Sequence, residues 1–246
     1  MPKFKNPIDA TMDEMRNDID ALFLIFDHIE WLQFVGGEIF LHNALADTLE
    51  YCKKYKDKFD LLVIESNATI LPRGMDFDVL ESYGPKVKVM ISNYGNLSRQ
   101  LAKFTEELDK RKIQYILKRY YGNEQHCGGW IDNTARRDLL EPDSFVALRS
   151  ALCPQVRLEN MHVYRGKLHR CSNSLFLSEL GVCILNDRDY VELEPRISLA
   201  EKRDIIKSFY GYPRKSCHYC TWKDADSLLR HPAAEQLNEA LFISSK

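Results

Sequence analysis

Apolar and polar positions in the first half of the chain switch repeatedly between a helical and a strand-like period. Thr11 to Glu14 reads T-x-x-E, a capping box, and Met12, Met15, Ile19, Leu22, Phe23 and Phe26 follow at helical spacing. This predicts a helix ending near Asp27. Ile29–Phe34 (IEWLQF) is then a short, mostly apolar run stopped by Gly36 and Gly37, which predicts a buried strand. Leu45, Leu49 and Cys52 mark a second helix that runs out in the lysine-rich segment Cys52–Lys58. Phe59–Ile64 (FDLLVI) and Lys86–Ile91 (KVKVMI) predict two further strands. Leu97, Leu101, Phe104 and Leu108 predict a helix, and Ile113–Leu117 another strand.

Helix and strand alternating at this period predict an α/β fold of parallel βα units with right-handed crossovers. In such folds the working residues sit on loops after the C-terminal ends of the strands. Gly36-Gly37-Glu38, Ser66-Asn67 and Ser92-Asn93 all occupy such positions. The series opens on a helix, which leaves the first βα unit without its strand. After about Trp130 the pattern changes. Asp132–Leu152 is polar with helical fragments, and Cys153–Lys246 reads as irregular, with turn signals at Gly166, Gly181, Gly211 and Pro213. The expected boundary lies near residues 143–153, giving a βα domain over 1–145 and a smaller domain over 146–246.

Composition narrows the function classes. The 34 Lys+Arg and 36 Asp+Glu leave a net charge of −2, which argues against nucleic-acid binding by bulk charge. Apolar stretches such as Leu22–Phe26 and Leu61–Ile64 fall far short of the about 20 residues of a membrane span. The opening MPKFKNPIDA has no apolar core of signal-peptide type, so the expected compartment is the cytoplasm. There, 7 cysteines favour thiols or metal ligands over disulfides.

Three groups of residues carry candidate chemistry. Gly36-Gly37-Glu38 combines two glycines that let a ligand approach the backbone with a carboxylate able to accept from an ammonium group; a plain βα turn has the same appearance. Asn67 and Asn93 can each bind a ligand or cap a turn. Cys217-His218-Tyr219-Cys220 is C-x-x-C, suited to zinc, to two corners of an iron–sulfur cluster, or to a redox pair, with Cys153 and Cys171 as candidate partners. Cys52 and Cys183 lie in apolar runs and read as core, Cys127 as a loop thiol. His42 and His231 read as helix-end or surface residues. H-E-x-x-H, P-loop and G-x-G-x-x-G motifs are absent.

Taken in order, these segments resemble the radical S-adenosylmethionine superfamily over roughly residues 5–120. GGEIFLHNALADTLEYCKKY (Gly36–Tyr55) is similar to the stretch after the family's second barrel strand, ESNATILP (Glu65–Pro72) to that after its third, and ISNYG (Ile91–Gly95) to that after its fourth. Cys153-x12-Gly166-x4-Cys171, followed by Cys217-x2-Cys220, resembles the cysteine pattern of twitch and SPASM auxiliary domains.

The resemblance implies a partial parallel βα barrel lacking its first strand, plus a small cluster-binding domain. Gly36, Gly37 and Glu38 would hold the methionine amino end of S-adenosylmethionine, and Asn67 and Ser92 would contact its polar groups. Cys153, Cys171, Cys217 and Cys220 would ligate one auxiliary [4Fe–4S] cluster. The implied reaction forms a 5′-deoxyadenosyl radical that abstracts hydrogen from a substrate, which could be a peptide, a sugar or a small alcohol. A flavodoxin- or ferredoxin-type reductant would supply electrons. Ile39 stands where the family has proline, and Ala68 where it has glycine. The C-x3-C-x2-C triad that holds the radical-generating cluster is absent. Met1-Pro2-Lys3-Phe4 resembles the segment just past that triad, so the chain is expected to be N-terminally incomplete and inactive by itself. The alternatives are a degenerate, non-catalytic barrel and a zinc-binding structural or partner-binding protein.

Overall fold

A computed structural model describes residues 9–131, 138–185, 189–194, 196–211, 213–222, 230 and 231. The segment Met1-Pro2-Lys3-Phe4 lies outside the described residues. The protein is α/β, with a four-stranded parallel sheet and smaller, separate antiparallel sheets.

Helix α1 (Met12–Ile25) starts at the capping box predicted for Thr11. The Thr11 hydroxyl accepts from the Glu14 N–H at 3.2 Å, and the Glu14 carboxylate accepts from the Thr11 N–H at 2.7 Å. Strand β1 (Ile29–Phe34) follows, then α2 (Leu45–Cys52), β2 (Phe59–Ser66), α3 (Gly74–Ser82), β3 (Val87–Asn93), α4 (Leu101–Lys110) and β4 (Gln114–Arg119). The strands lie side by side in chain order, β1-β2-β3-β4, all parallel. All four strands and three of the helices match the sequence pattern to within a few residues. Helix α3 was not predicted.

All four helices pack on one face of this sheet. Ile19 and Phe23 of α1, Leu49 of α2, Phe77 and Leu80 of α3, and Phe104 and Leu108 of α4 meet Leu32, Leu62, Ile64, Val89 and Ile91 in one core. Phe104 sits edge-on to Phe40 at 5.6 Å and to Phe77 at 5.8 Å. Each such side chain contributes about 1.5–3 kcal/mol by leaving water. Leu62→Ala at this fully buried position would cost about 2–5 kcal/mol. The opposite face, with Trp31, Gln33, Glu65, Lys88, Met90 and Ile116 in register, carries no helix of this set.

The second half is more regular than its sequence pattern suggests. After the short strand β5 (Trp130–Ile131) come α5 (Asp143–Ala151) and α6 (Pro154–Arg157). Strands β6 (His162–Tyr164), β7 (Lys167–His169) and β8 (Tyr190–Glu192) form an antiparallel sheet, with α7 (Ser172–Glu179) between β7 and β8 and α8 (Leu199–Ser208) after it. Strand β9 (Arg230–His231) pairs with β5. The β6–β7 turn uses left-handed backbone at Arg165 and Gly166, φ 49° and 73°. A second core of Leu168, Val191, Leu193, Ile206 and Phe209 includes Ile25 of α1. The two halves therefore share α1, and Arg203 of α8 donates to the Ile25 carbonyl at 2.9 Å. Among the described residues no helix is long and apolar enough to cross a membrane.

Candidate functional site

Two places concentrate the residues singled out above: the loops after β1, β2 and β3, and the cysteines of the second half.

The segment Val35–His42 leaves β1, and Glu38 turns inward from it. Its carboxylate accepts the Ser66 hydroxyl at 2.9 and 3.0 Å, the Asn67 backbone N–H at 2.9 Å and the Phe40 N–H at 3.3 Å. Burial pushes its pKa upward, and the hydrogen bonds from Asn67, Ser66 and Phe40 oppose that rise. Glu38 thus fastens the loop after β1 to the loop after β2, and its oxygens are already engaged. Asn67 adds a weaker bond from its side-chain amide to the Gly37 carbonyl at 3.4 Å. Its own Oδ1 accepts from the Thr69 N–H at 2.9 Å, an Asx turn.

The third loop joins through Ser98. Its hydroxyl donates to the Asn67 carbonyl at 2.7 Å and accepts from the Tyr94 N–H at 2.8 Å. Ser92 is half-buried at the end of β3, on the face opposite the helices, and Tyr94 lies beside it. Asn93 caps its own turn, accepting from the Gly95 N–H at 2.9 Å. Ala68 takes φ 54°, the left-handed conformation that the family's glycine would favour, and is fully buried.

Gly36 and Gly37 remain the open part of this end. Neither has a positive φ. A methyl group on Gly37 would meet nothing within 4 Å, and one on Gly36 only Ile39 at 3.8 Å. The fold itself therefore does not demand glycine at either position, while their exposed backbone stays accessible to a ligand. Beyond β4, Tyr120 stacks on Trp130 at 5.4 Å and touches Tyr94 and His126. Burial pushes the Tyr120 phenol up to about 12.

The four candidate cysteine ligands come from three separate stretches of chain. Cys153 precedes α6, Cys171 caps α7, and Cys217 and Cys220 lie on the single-turn helix Lys215–Tyr219 and its end. Each of the last three sulfurs accepts from a nearby N–H. Ser174 N–H lies 3.5 Å from Cys171, the Asn173 amide 3.2 Å from Cys220, and the Arg170 guanidinium 3.3 Å and Arg214 N–H 3.4 Å from Cys217. Cys171 is partly exposed as a residue, but its sulfur is enclosed. Burial, with smaller contributions from the Cys217 and Cys220 sulfurs, pushes that thiol up to about 12, against the Ser174 N–H. Cys220 is raised by burial first, and also by Cys217 and Cys153. Arg170, Asn173 and Ser174, beside Cys171 in the chain, thus reach the sulfurs of Cys217, Cys220 and Cys171, and Cys153 exerts an electrostatic influence on Cys220. As placed, no three metal-ligating side chains among the described residues converge on a single ion.

Of the remaining cysteines, only Cys183 comes near this group, hydrogen-bonded to the Tyr219 side chain. Cys52 is fully buried in the first core, Cys183 is buried, and Cys127 is exposed at φ 53°. His42 ends the turn Ile39–Leu41, its ring bonded to the Ala10 carbonyl at 2.8 Å. Sequence reasoning placed Ser66 at a strand end without giving it a role, and it missed Ser98, Arg170 and Asn173. Ser66 ends an apolar strand and Arg170 and Asn173 flank Cys171, and those placements are the only signals for them. Compared with family models and with curated proteins, the chain matches none.

Proposed function

We propose that the protein is a radical S-adenosylmethionine-type chain whose second half holds one auxiliary [4Fe–4S] cluster through Cys153, Cys171, Cys217 and Cys220. The observation that carries this reading is that N–H donors flanking Cys171 reach the sulfurs of Cys171, Cys217 and Cys220, with Cys153 close enough to influence Cys220 electrostatically. The donor set fits the group, because thiolates that hold such clusters are tuned by N–H···S hydrogen bonds. When bound, the cluster supplies one-electron chemistry or an anchoring site for substrate.

The parallel sheet supports the barrel part of the reading. Sequential strand order with every helix on one face is the arrangement of a βα barrel arc. A doubly wound sheet reverses its order and is covered on both faces. Closing such a barrel requires further strands beside β1 and β4, the edge strands of this sheet among the described residues. The face opposite the helices, with Glu65, Met90 and Ser92, would line its interior.

The loop end fits one part of S-adenosylmethionine chemistry. Gly36 and Gly37 present backbone to the methionine end of the cofactor, Glu38 holds their loop in place from below, and Asn67 and Ser92 border the same opening. Reductive cleavage does not fit this chain's residues, which include no C-x3-C-x2-C set. Hydrogen abstraction from a peptide, sugar or alcohol, served by a flavodoxin- or ferredoxin-type donor, would in this reading need the triad's cluster, which these residues do not hold.

The test is anaerobic reconstitution with iron and sulfide, alongside calorimetric titration with S-adenosylmethionine. Brown protein with about four irons per chain supports the reading. Colourless protein that retains only zinc selects the structural alternative.

A further inference from the structure

Arg170 follows β7 and lies one residue before Cys171. It is 5% exposed, yet it has no carboxylate partner among the described residues. Its guanidinium donates to the Ser150 hydroxyl at 2.9 Å and to the Cys217 sulfur at 3.3 Å, and its Nε has no partner. Neighbouring Arg149 is buried too, but it is neutralised by Glu141 and also donates to the Cys217 carbonyl. An arginine stays protonated in any protein environment. Burying such a charge without an anion costs several kcal/mol. Among its described hydrogen-bond partners, the group that could supply negative charge to Arg170 is the Cys217 sulfur.

We propose that Arg170 is the countercharge of the cysteine site, and that it raises the reduction potential of the auxiliary cluster; this rests on the cluster reading above. A [4Fe–4S] core with four thiolates carries a net double negative charge when oxidised. One electron from a low-potential donor makes it triple, with no bond formed or broken. A fixed positive charge favours the triple charge over the double, and an N–H···S bond acts in the same direction. Arg170 is thus a positioning residue: it also ties α5, through Ser150, to the turn bearing Cys217.

The experiment compares the reconstituted full chain with Arg170→Gln and Arg170→Lys. Iron is counted per chain, and the midpoint potential is measured by dithionite titration followed by electron paramagnetic resonance. Arg170→Gln should make the cluster about tenfold harder to reduce, about 59 mV lower for one electron. Arg170→Lys should restore at least half of that shift. Loss of the cluster from Arg170→Gln with retention in Arg170→Lys also supports the countercharge. Equal iron content and equal potentials in all three proteins overturn the role of Arg170 alone. A wild-type chain that takes up no iron overturns the cluster reading, and this inference with it.

Discussion

The Glu38 carboxylate and the Ser66 hydroxyl, 28 residues apart, meet at 2.9 and 3.0 Å below the glycine pair. This contact joins the loop after β1 to the end of β2, and it is shielded from water. Removing the hydroxyl leaves a buried carboxylate with backbone N–H partners only. Ser66→Ala should therefore lower stability by about 1–3 kcal/mol in chemical denaturation. It should also weaken S-adenosylmethionine binding through a looser Gly36–Gly37 loop. An unchanged unfolding midpoint would show that the contact is incidental.

Gly37 separates a structural role from a ligand role. Its φ is not positive, and an added methyl meets nothing within 4 Å. Gly37→Ala should leave the melting temperature unchanged or raise it slightly, because alanine restricts the unfolded chain. Calorimetry should show affinity for S-adenosylmethionine falling at least about tenfold, or about 1.4 kcal/mol. Unchanged affinity would remove the glycine pair from the binding surface.

Asp18 of α1 faces the β6–β7 turn, where it accepts weakly from the Gly166 N–H at 3.5 Å. Glu14 on its own helix and Arg165 on the turn are the charged groups nearby. Burial, with a small addition from Glu14, pushes its carboxyl up to about 6, against the Gly166 bond. The folded value lies above the unfolded one, so the protonated form suits the fold. That contribution is complete below about pH 4 and is lost as pH rises through about 6. Asp18→Asn should match wild type near pH 4 and exceed its stability by roughly 1–2 kcal/mol at pH 7 and above. A difference independent of pH would contradict the assignment.

Much of the first half was legible because its strands are apolar runs bounded by glycine, lysine or asparagine. Helix α3 was not, since Met75, Phe77 and Val79 alternate with Asp76 and Asp78 in a strand-like period. Asp76 is fully buried there through its pair with Arg73, which polarity alone would place on the surface. Helix α7 was hidden for a related reason. Its buried face includes Asn173 and Ser174, which serve the cysteine sulfurs rather than an apolar core. Glu38 was legible as a site residue by its place after β1. Its partner Ser66 follows from strand pairing between distant segments, which spacing along the chain does not reveal.

The most direct measurement is iron bound per chain after anaerobic reconstitution of wild type, Cys217→Ser and Cys52→Ser. Cys217 lies in the cysteine cluster and Cys52 is fully buried in the first core, so only one of them belongs to the site. The account predicts about four irons in wild type and in Cys52→Ser, with Cys52→Ser less stable, and a marked loss of iron in Cys217→Ser. Equal iron in the two variants, or no iron in wild type, would contradict it.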